Sequence, residues 1–303
     1  MKHLTGISEL SDSDIRALLD LGHEYAEALD QGDFKSDRLK GRVIVTMFME
    51  NSTRTRTSFE MAALRLNASL INWDAETSSL KKGESFTDTV RTLGAMRPDA
   101  MIIRSADYNA PHAVAQLVEC PVISAGDSWR EHPSQALLDA LTLERHFKTK
   151  GLSGVTIAIC GDVSHSRVAG SGMQLFSRLG AQVRVIAPPF LMPNKFPAEG
   201  IGTFTSLEDG LPGCDVVMML RNQKERMNED LIPSDAAFHR QYGLTAERLA
   251  LANKHAVVMH PAPMNRGVEI ADEVADDPHQ SLIFKQMQNG VAARMAILDL
   301  LVR

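Results

Sequence analysis

Hydroxyl and guanidinium groups are concentrated in one short segment of the chain, Ser52-Thr-Arg-Thr-Arg56. The apolar run Val43–Met47 before it is rich in β-branched residues and predicts a buried strand. After it, apolar side chains recur at helical spacing, at positions 59, 62, 63 and 66. The segment is therefore expected to lie at a strand-to-helix turn, with Ser52 as the N-cap residue.

The composition of this turn favours binding of an anion. Amide groups in the first turn of a helix point beyond its end, and the helix dipole attracts negative charge there. Thr53 and Thr55 add hydroxyl donors, and Arg54 adds a guanidinium fork that fits phosphate oxygens. An ordinary capped helix with solvated arginines is the alternative. The density of arginine and threonine over so few residues favours the phosphate site.

Polar and basic residues also follow the other predicted strands. In open α/β sheets, ligands bind beyond the carboxyl ends of the strands. Each such residue alone has an ordinary explanation as a surface or capping residue, but their coincidence at strand ends predicts a site for two anionic substrates. Glu50 lies among these cations and is expected to pair with Arg167 or Arg226. The other residues beyond strand ends are Arg104, His132, Gln135, Asp162, His165, Arg167, Arg221, Gln223 and His260.

Strand and helix patterns alternate along the chain, which predicts an α/β fold of two doubly wound parallel-sheet domains joined by two interdomain helices. The first domain is predicted to span residues 1–132, with the C-terminal helix 286–303 packing back on it. The second is predicted to span 133–285, including the connecting helix 133–147. Seven strands are predicted, at 43–49, 100–103, 121–124, 155–160, 182–187, 215–220 and 256–259, with further helices at 86–96, 113–119 and 170–179 and a long loop with short helices at 222–249.

Composition narrows the class of protein. The 303 residues allow about two domains. No apolar run approaches the ~20 residues of a membrane helix, and no signal peptide is evident, so a cytoplasmic protein without membrane contact is expected. The three cysteines are far apart in the sequence and are predicted to be buried thiols. No cluster of cysteine and histidine residues has the spacing of zinc ligands, so no metal site is expected. The net charge of −6 disfavours nucleic-acid binding.

Two loops could also contribute to a site. Residues 78–85 form a short polar loop with a lysine pair, for which a solvated turn is the simpler explanation. Residues 260–267 contain Pro261 and Pro263, which fix φ and present carbonyl groups without a competing N–H. Such a segment could accept hydrogen bonds from an amine or amide, or could be only a structural turn.

Five motifs together resemble the transcarbamoylase family, and within it the aspartate transcarbamoylases, over nearly the whole chain. The Arg-x-Gln-Lys-Glu-Arg and His-Pro-x-Pro motifs are similar to the aspartate-specific members. The Ser-Met-Gly and His-Cys-Leu-Pro segments expected of ornithine transcarbamoylases are not found. The motifs are Ser-Thr-Arg-Thr-Arg at 52–56, Ser-Leu-Lys-Lys-Gly-Glu at 79–84, His-Pro-Ser-Gln-Ala at 132–136, Arg-Asn-Gln-Lys-Glu-Arg at 221–226 and His-Pro-Ala-Pro at 260–263.

This resemblance implies which residues bind carbamoyl phosphate. Arg104, His132 and Thr55 would contact its carbonyl oxygen, and Gln135 its amide. Lys82, with Ser78 or Ser79, would reach into the site of a neighbouring subunit. The phosphate would be held by the turn residues Ser52, Thr53, Arg54 and Thr55, and the residues implied to be catalytic are Arg54, Thr55, Lys82, Arg104 and His132.

The resemblance also implies an aspartate site and a reaction. Arg167 and Arg221 would bind the two carboxylates, Gln223 would assist, and the segment containing Ala262 and Pro263 would supply backbone acceptors. The implied enzyme transfers the carbamoyl group to L-aspartate, giving N-carbamoyl-L-aspartate and phosphate for de novo pyrimidine biosynthesis, without a cofactor. A homotrimer with shared sites is implied, and association with regulatory or dihydroorotase chains is left open.

Other functions are less well supported by the sequence. Another amine acceptor, such as L-ornithine, is the main alternative. A nicotinamide-dependent oxidoreductase is disfavoured because residues 161–166 lack the G-x-G-x-x-G pattern after their strand. A non-catalytic relative would be expected to have lost some of Arg54, Lys82, Arg104 or His132, and all four are present.

Overall fold

A computed structural model describes residues 1–32, 34–223 and 234–302 of the chain. The described strands are β1 (Val43–Phe48), β2 (Ser69–Trp73), β3 (Ala100–Ser105), β4 (Val122–Asp127), β5 (Thr156–Gly161), β6 (Gln182–Ile186), β7 (Gly202–Phe204), β8 (Val216–Leu220) and β9 (Val257–Met259). The described α-helices are α1 (Asp12–Asp30), α2 (Thr53–Arg65), α3 (Phe86–Ala95), α4 (Ala110–Ala115), α5 (Pro133–Phe147), α6 (Arg167–Arg178), α7 (Leu207–Gly210), α8 (Asp235–Tyr242), α9 (Ala246–Leu249), α10 (Asp272–Ala275) and α11 (Ile283–Val302).

The chain divides into two compact units. Residues 1–141 and 287–303 form the first unit, and residues 142–286 form the second. Two helices, α5 and α11, run through the points of division. The predicted boundary at 132/133 assigns all of α5 to the second domain, whereas the structure divides that helix between the units.

The first unit contains a four-stranded parallel sheet in the order β2-β1-β3-β4. Alternate side chains on its inner strands point to opposite faces, and both faces are buried. Val45, Met47, Met101 and Ile103 lie on one face and pack with Val90 of α3 in a single apolar cluster. Because the order reverses between β1 and β3, their carboxyl ends form a topological switch point.

The second unit contains a five-stranded parallel sheet in the order β7-β6-β5-β8-β9. One apolar cluster of this unit joins the strands to α7, α9, α10 and the start of α11. The strand order reverses between β5 and β8, which makes their carboxyl ends a second switch point. The prediction of two doubly wound parallel-sheet domains is therefore confirmed.

All seven predicted strands are present, but β2 and β7 were not predicted. Both are edge strands, and most residues of β2 are exposed. Neither strand therefore has the continuous apolar run of a central strand. The helix predicted at 113–119 lies earlier, at Ala110–Ala115, because Pro111 fixes φ in its first turn. The helix α1 was not predicted. In the predicted loop 222–249, the described part contains α8 and α9, and residues 224–233 lie outside the described residues.

Two further observations bear on the composition-based predictions. No helix in the described parts of the chain has the length and hydropathy to span a bilayer. The three cysteines are thiols, of which Cys160 and Cys214 are buried and Cys120 is half-buried. Burial raises the pKa of the Cys120 thiol to about 11.

Candidate active site

The Ser52–Arg56 segment and Arg104 lie side by side at the first switch point. Phe48, the last residue of β1, pairs with Arg104 of β3. The amide of Met49 donates to the Arg104 carbonyl at 2.9 Å, which extends the pairing beyond the strand. The sheet thus places the start of α2 next to the Arg104 side chain, as the rule for strand ends predicts.

The N-terminus of α2 differs from the other serine- and threonine-capped helices. Ser52 occupies the N-cap position, but its hydroxyl does not cap the helix, so the prediction of an N-cap is right for the position only. The first turn of α2 also contains no acidic residue. In every other described helix with such a cap, the hydroxyl accepts from the amide three residues on, and these caps are Ser11, Ser85, Ser166, Ser206, Ser234 and Thr245.

An uncapped N-terminus is suited to an external anion. The first amides of a helix lack intrahelical partners and need an acceptor from a side chain, water or a ligand. Thr53 and Arg54 at this end are exposed, whereas Thr55 is buried. The helix dipole and the guanidinium charge therefore act together on an anion bound at this end.

Two contacts within the first unit help to hold the Arg104 side chain. Its Nη1 donates to the carbonyl of Ala125 in β4 at 3.1 Å. Its Nε lies 3.2 Å from Oε2 of Glu50, and both side chains are mostly buried. The sequence predicts pairing of Glu50 with Arg167 or Arg226 instead. Pairing with Arg167 stays a prediction, and Arg226 lies outside the described residues.

His132 lies at the end of the turn between β4 and α5 and is 4% exposed. Its carbonyl accepts from the amides of Gln135 and Ala136 at 3.0 and 3.2 Å, which starts the helix. The Ser134 hydroxyl lies 3.4 Å from His132 Nδ1. When that hydroxyl donates to Nδ1, the ring proton lies on Nε2, and the imidazole can donate to a carbonyl oxygen.

A buried polar cluster holds the turn that leads to this histidine. Arg130 Nη1 lies 3.1 Å from Asp127 Oδ2, and the other oxygen of Asp127 accepts from the amide of Asn109 at 2.7 Å. Glu131 accepts from the amide of Ile7 at 2.5 Å. Burial opposes the charge of Arg130, but its hydrogen bond to Asp127 and the charges of Glu131 and Asp127 outweigh burial and raise its pKa.

The second switch point collects the residues predicted for the other substrate. Asp162 follows β5 and accepts from His165 Nδ1 at 2.8 Å and from the amide of Gln223 at 3.1 Å. Gln223 Nε2 donates in turn to the His165 carbonyl at 3.0 Å. Arg167 is the first residue of α6 and is 5% exposed, and Arg221 follows β8 and is half-buried. One carboxylate therefore fixes the two loops that contain the predicted binding residues.

The segment after β9 is fixed by a buried histidine–carboxylate pair. His260 Nδ1 accepts from the amide of Ala262 at 2.8 Å, so its proton lies on Nε2, 3.2 Å from Oε1 of Glu269. Glu269 Oε1 also accepts from the amide of Asn265 at 2.6 Å. Ala262 has a φ of 53° and is joined to Pro263 by a cis peptide. The loop that was expected to present carbonyl groups is thus tied at both of its ends.

Lys82 is in the loop that follows the edge strand β2, in a different part of the sequence from the other predicted binding residues of the first unit. It ends a short 3-10 helix, Ser79–Lys82, and its side chain is exposed. The Ser78 hydroxyl donates to the carbonyl of Ala75 at 2.9 Å, so it is engaged inside this loop. The side chain of Ser79 lies outside the described residues.

Several residues that position the predicted site residues could not be recognised in the sequence. Asp127, Glu131 and Glu269 are buried carboxylates whose partners are distant in sequence or on the backbone. Their only sequence signal is an acidic residue beside a predicted site residue, which is common by chance. Among the described residues, no group of histidine, cysteine and acidic side chains could hold a metal ion.

Comparisons with known proteins cover both units. A family model described as aspartate/ornithine carbamoyltransferase, carbamoyl-P binding domain, matches residues 2–145. A second model, described as the Asp/Orn binding domain of the same family, matches residues 153–301.

Similar individual proteins match over almost their full length. The aspartate carbamoyltransferase catalytic subunit of Granulibacter bethesdensis is 51% identical over 302 residues, covering 99% of this chain and 95% of the relative. The crystal structure of aspartate transcarbamoylase from Trypanosoma cruzi in complex with carbamoyl phosphate has a TM-score of 0.88 and 32% identity, covering 98% of this chain and 95% of that one. Ornithine carbamoyltransferase from Thermus thermophilus has a TM-score of 0.84 and 25% identity, covering 100% and 99%.

Proposed function

Because the chain belongs to the aspartate/ornithine carbamoyltransferase family, we propose that it transfers the carbamoyl group of carbamoyl phosphate to the amine of L-aspartate. The products are N-carbamoyl-L-aspartate and phosphate. The full-length relatives at about half identity are aspartate carbamoyltransferase catalytic subunits, whereas the ornithine carbamoyltransferase from Thermus thermophilus is 25% identical. The trypanosomal enzyme has been solved with carbamoyl phosphate and with carbamoyl aspartate and phosphate. This reaction serves pyrimidine biosynthesis.

The single observation that best supports binding of carbamoyl phosphate is the uncapped N-terminus of α2 beside Arg104. The phosphate would accept from the first-turn amides, from the hydroxyls of Ser52, Thr53 and Thr55, and from Arg54. Such a site combines the helix dipole with a guanidinium that can bind two phosphate oxygens at once. The first unit is the carbamoyl phosphate domain in this proposal.

Catalysis would rest on electrostatic stabilisation of an oxyanion. The α-amine of aspartate attacks the carbonyl carbon, and negative charge develops on the carbonyl oxygen. Arg104, His132 and Thr55 would donate to that oxygen, and losing one such donor typically lowers kcat by ~10²–10³-fold. The protein needs no nucleophile of its own, because the carbamoyl group is already activated as a mixed anhydride with phosphate.

Collapse of the intermediate breaks the bond between the carbonyl carbon and the phosphate oxygen. The electron pair leaves with the phosphate, whose charge Arg54 and Lys82 would stabilise. The proton lost by the attacking amine would pass to that phosphate, so no side chain has to act as a permanent base. The two substrates must be held in orientation, which contributes through proximity.

The second unit is the aspartate domain in this proposal. Arg167 and Arg221 would bind the two carboxylates, and Gln223 would assist. The hydrogen bonds of Asp162 and His165 to Gln223 support this assignment, because they fix the loop in which Arg221 lies. Carbonyl groups of the segment that contains Ala262 and Pro263 would accept from an amine or amide hydrogen.

We further propose a homotrimer in which Lys82 completes the site of a neighbouring subunit. The edge strand β2, which precedes the Lys82 loop, exposes 52% of Ile71, and the adjacent helix α2 exposes 67% of Leu64 and 41% of Met61. An exposed strand edge with apolar neighbours favours contact with a second copy. A cytoplasmic location and the absence of nucleic-acid binding stay predictions, and association with regulatory or dihydroorotase chains stays open.

Subunit sharing can be tested by mixing two inactive variants. R54A and K82A should each lose activity. If one subunit supplies Arg54 and its neighbour supplies Lys82, dissociating and reassociating the two variants together should restore some intact sites and measurable activity. If each chain supplies both residues to its own site, the mixture should stay inactive. The same reassociation of R54A alone is the control.

The acceptor can be tested with purified protein and carbamoyl phosphate. Ureido product should form with L-aspartate and not with L-ornithine or other amines. Product with another amine would keep the carbamoyl phosphate site and overturn the aspartate assignment. No product with any amine would overturn the proposed activity for the isolated chain.

A further inference from the structure

A buried hydrogen bond on α5 connects a predicted substrate-binding amide to a carboxylate one turn away. Gln135 Nε2 donates to Asp139 Oδ1 at 2.9 Å. Gln135 is 6% exposed and Asp139 is fully buried. Residues four apart on a helix face the same side, so this contact follows directly from the helical spacing.

The chemistry of the partner determines which end of the Gln135 amide faces it. An ionised carboxylate accepts hydrogen bonds and cannot donate them. The amide must therefore turn its NH2 group to Asp139, which leaves Oε1 as the end of the amide that Asp139 does not engage. In the described part of the chain, that oxygen makes no hydrogen bond.

A buried cation favours the ionised form of Asp139. Arg294 of α11 is 3% exposed, donates from Nη1 to the Gly290 carbonyl at 3.0 Å, and lies over the ring of Phe59 in α2 at 5.1 Å. Desolvation lowers the pKa of Arg294 to about 10, although the charge of Asp139 opposes that effect. At neutral pH Arg294 is therefore still a cation, and it places positive charge near the carboxylate within the same unit.

We propose that Asp139 is a positioning residue that sets the orientation of the Gln135 amide, so that Oε1 accepts a hydrogen bond from the NH2 group of carbamoyl phosphate. The site would then recognise the carbamoyl group as a donor and distinguish it from acyl phosphates that lack an amine. Arg294 supports this orientation by keeping Asp139 an acceptor. The inference rests on the proposed function, since it assigns the substrate to the site that contains Gln135.

The test compares three ligands that share a phosphate and differ in the group attached to it. Carbamoyl phosphate carries an NH2 group, acetyl phosphate carries a methyl group in its place, and inorganic phosphate carries neither. Dissociation constants are measured by calorimetry for the wild type and for D139N, whose amide can face Gln135 with either its oxygen or its nitrogen. The variant D299N is the matched control, because Asp299 is also fully buried in the first unit and bonds to Tyr25 and Arg38.

The expected result is a selective loss. D139N should weaken carbamoyl phosphate binding by about threefold to tenfold, the range expected when a single oriented hydrogen bond is degraded. Acetyl phosphate and inorganic phosphate should change by less than about twofold, since neither donates to Gln135. D299N should leave the ratio of carbamoyl phosphate to acetyl phosphate affinity at the wild-type value.

Two results would overturn the inference. Equal weakening of all three ligands would mean that Asp139 is only structural, and unchanged carbamoyl phosphate binding would mean that the amide is not set by Asp139. If D139N does not fold because the Arg294 charge is uncompensated, the double variant D139L/R294M removes both charges and should show the same selective loss. Carbamoylation of aspartate by the wild type is measured in the same experiments. Failure of the proposed function can then be distinguished from failure of the inference about Asp139.

Discussion

The substitution Ser52→Asp should stabilise the protein and inactivate it together. Ser52 is at the N-cap of α2 but does not cap it, unlike the other serine and threonine N-caps of the described helices. An aspartate there can accept from the first-turn amides and also interacts favourably with the helix dipole. It would occupy the position that we assign to the phosphate.

The two effects can be estimated separately. A new cap contributes about 1 kcal/mol and the dipole about 0.3–1 kcal/mol, so the free energy of unfolding should rise by about 1–2 kcal/mol. A carboxylate about 4 Å from one phosphate charge costs about 4 kcal/mol at an effective dielectric constant of ~20. That repulsion corresponds to about a thousandfold loss of carbamoyl phosphate affinity.

Thermal unfolding with and without inorganic phosphate measures both effects. Wild-type protein at a hundred times its dissociation constant should gain about 2.7 kcal/mol from phosphate, whereas S52D should start from a higher Tm and gain nothing. The control T245D changes a working N-cap of α9 to aspartate and should keep the wild-type response. If S52D still binds phosphate and carbamoyl phosphate normally, the end of α2 is an ordinary helix terminus and the site assignment is wrong.

Four other substitutions or reagents test separate parts of the account. R54A should lower steady-state kcat by at least ~100-fold and change the KM for aspartate by less than about threefold, and an unchanged kcat would remove Arg54 from the mechanism. E50Q removes a carboxylate 3.2 Å from Arg104 and should tighten phosphate binding in calorimetry by about twofold to fivefold. E269A leaves the buried His260 ring and the part-buried Asn265 amide without their acceptor and should lower the denaturant-measured stability by about 2–4 kcal/mol. Because the pKa of Cys120 is about 11 instead of the usual 9.0, iodoacetamide should alkylate it about a hundredfold more slowly than an unperturbed thiol at neutral pH.

The sequence predicted the sheets and the edge where the candidate site lies because both depend on local patterns. Central strands of parallel sheets are continuous apolar runs. Their carboxyl ends can be recognised where the apolar run gives way to a polar or basic residue. Arg104 was located in this way, directly beside the end of β1. The edge strands β2 and β7 were missed, since partly exposed strands have no such run.

The contacts that orient the site could not be predicted, because they join residues that are distant in sequence. Asp162 accepts from the amide of Gln223, 61 residues away, and Glu131 accepts from the amide of Ile7, 124 residues away. The missing cap at Ser52 is also a property of the folded turn, since the sequence there favours a capped helix. The spacing of Gln135 and Asp139 predicts that they can touch on one helix face. It does not show that the contact is buried or that Arg294 interacts with the charge of Asp139.

Calorimetric titration with N-(phosphonacetyl)-L-aspartic acid tests the central claim most directly, because this compound joins a phosphonate to aspartate and has been solved bound to the trypanosomal aspartate transcarbamoylase. We expect one molecule to bind per chain, with an affinity at least ~100-fold above that of phosphonoacetamide, which lacks the dicarboxylate. Equal affinity for the two compounds would contradict the aspartate assignment, and no binding of either would contradict the phosphate site at α2.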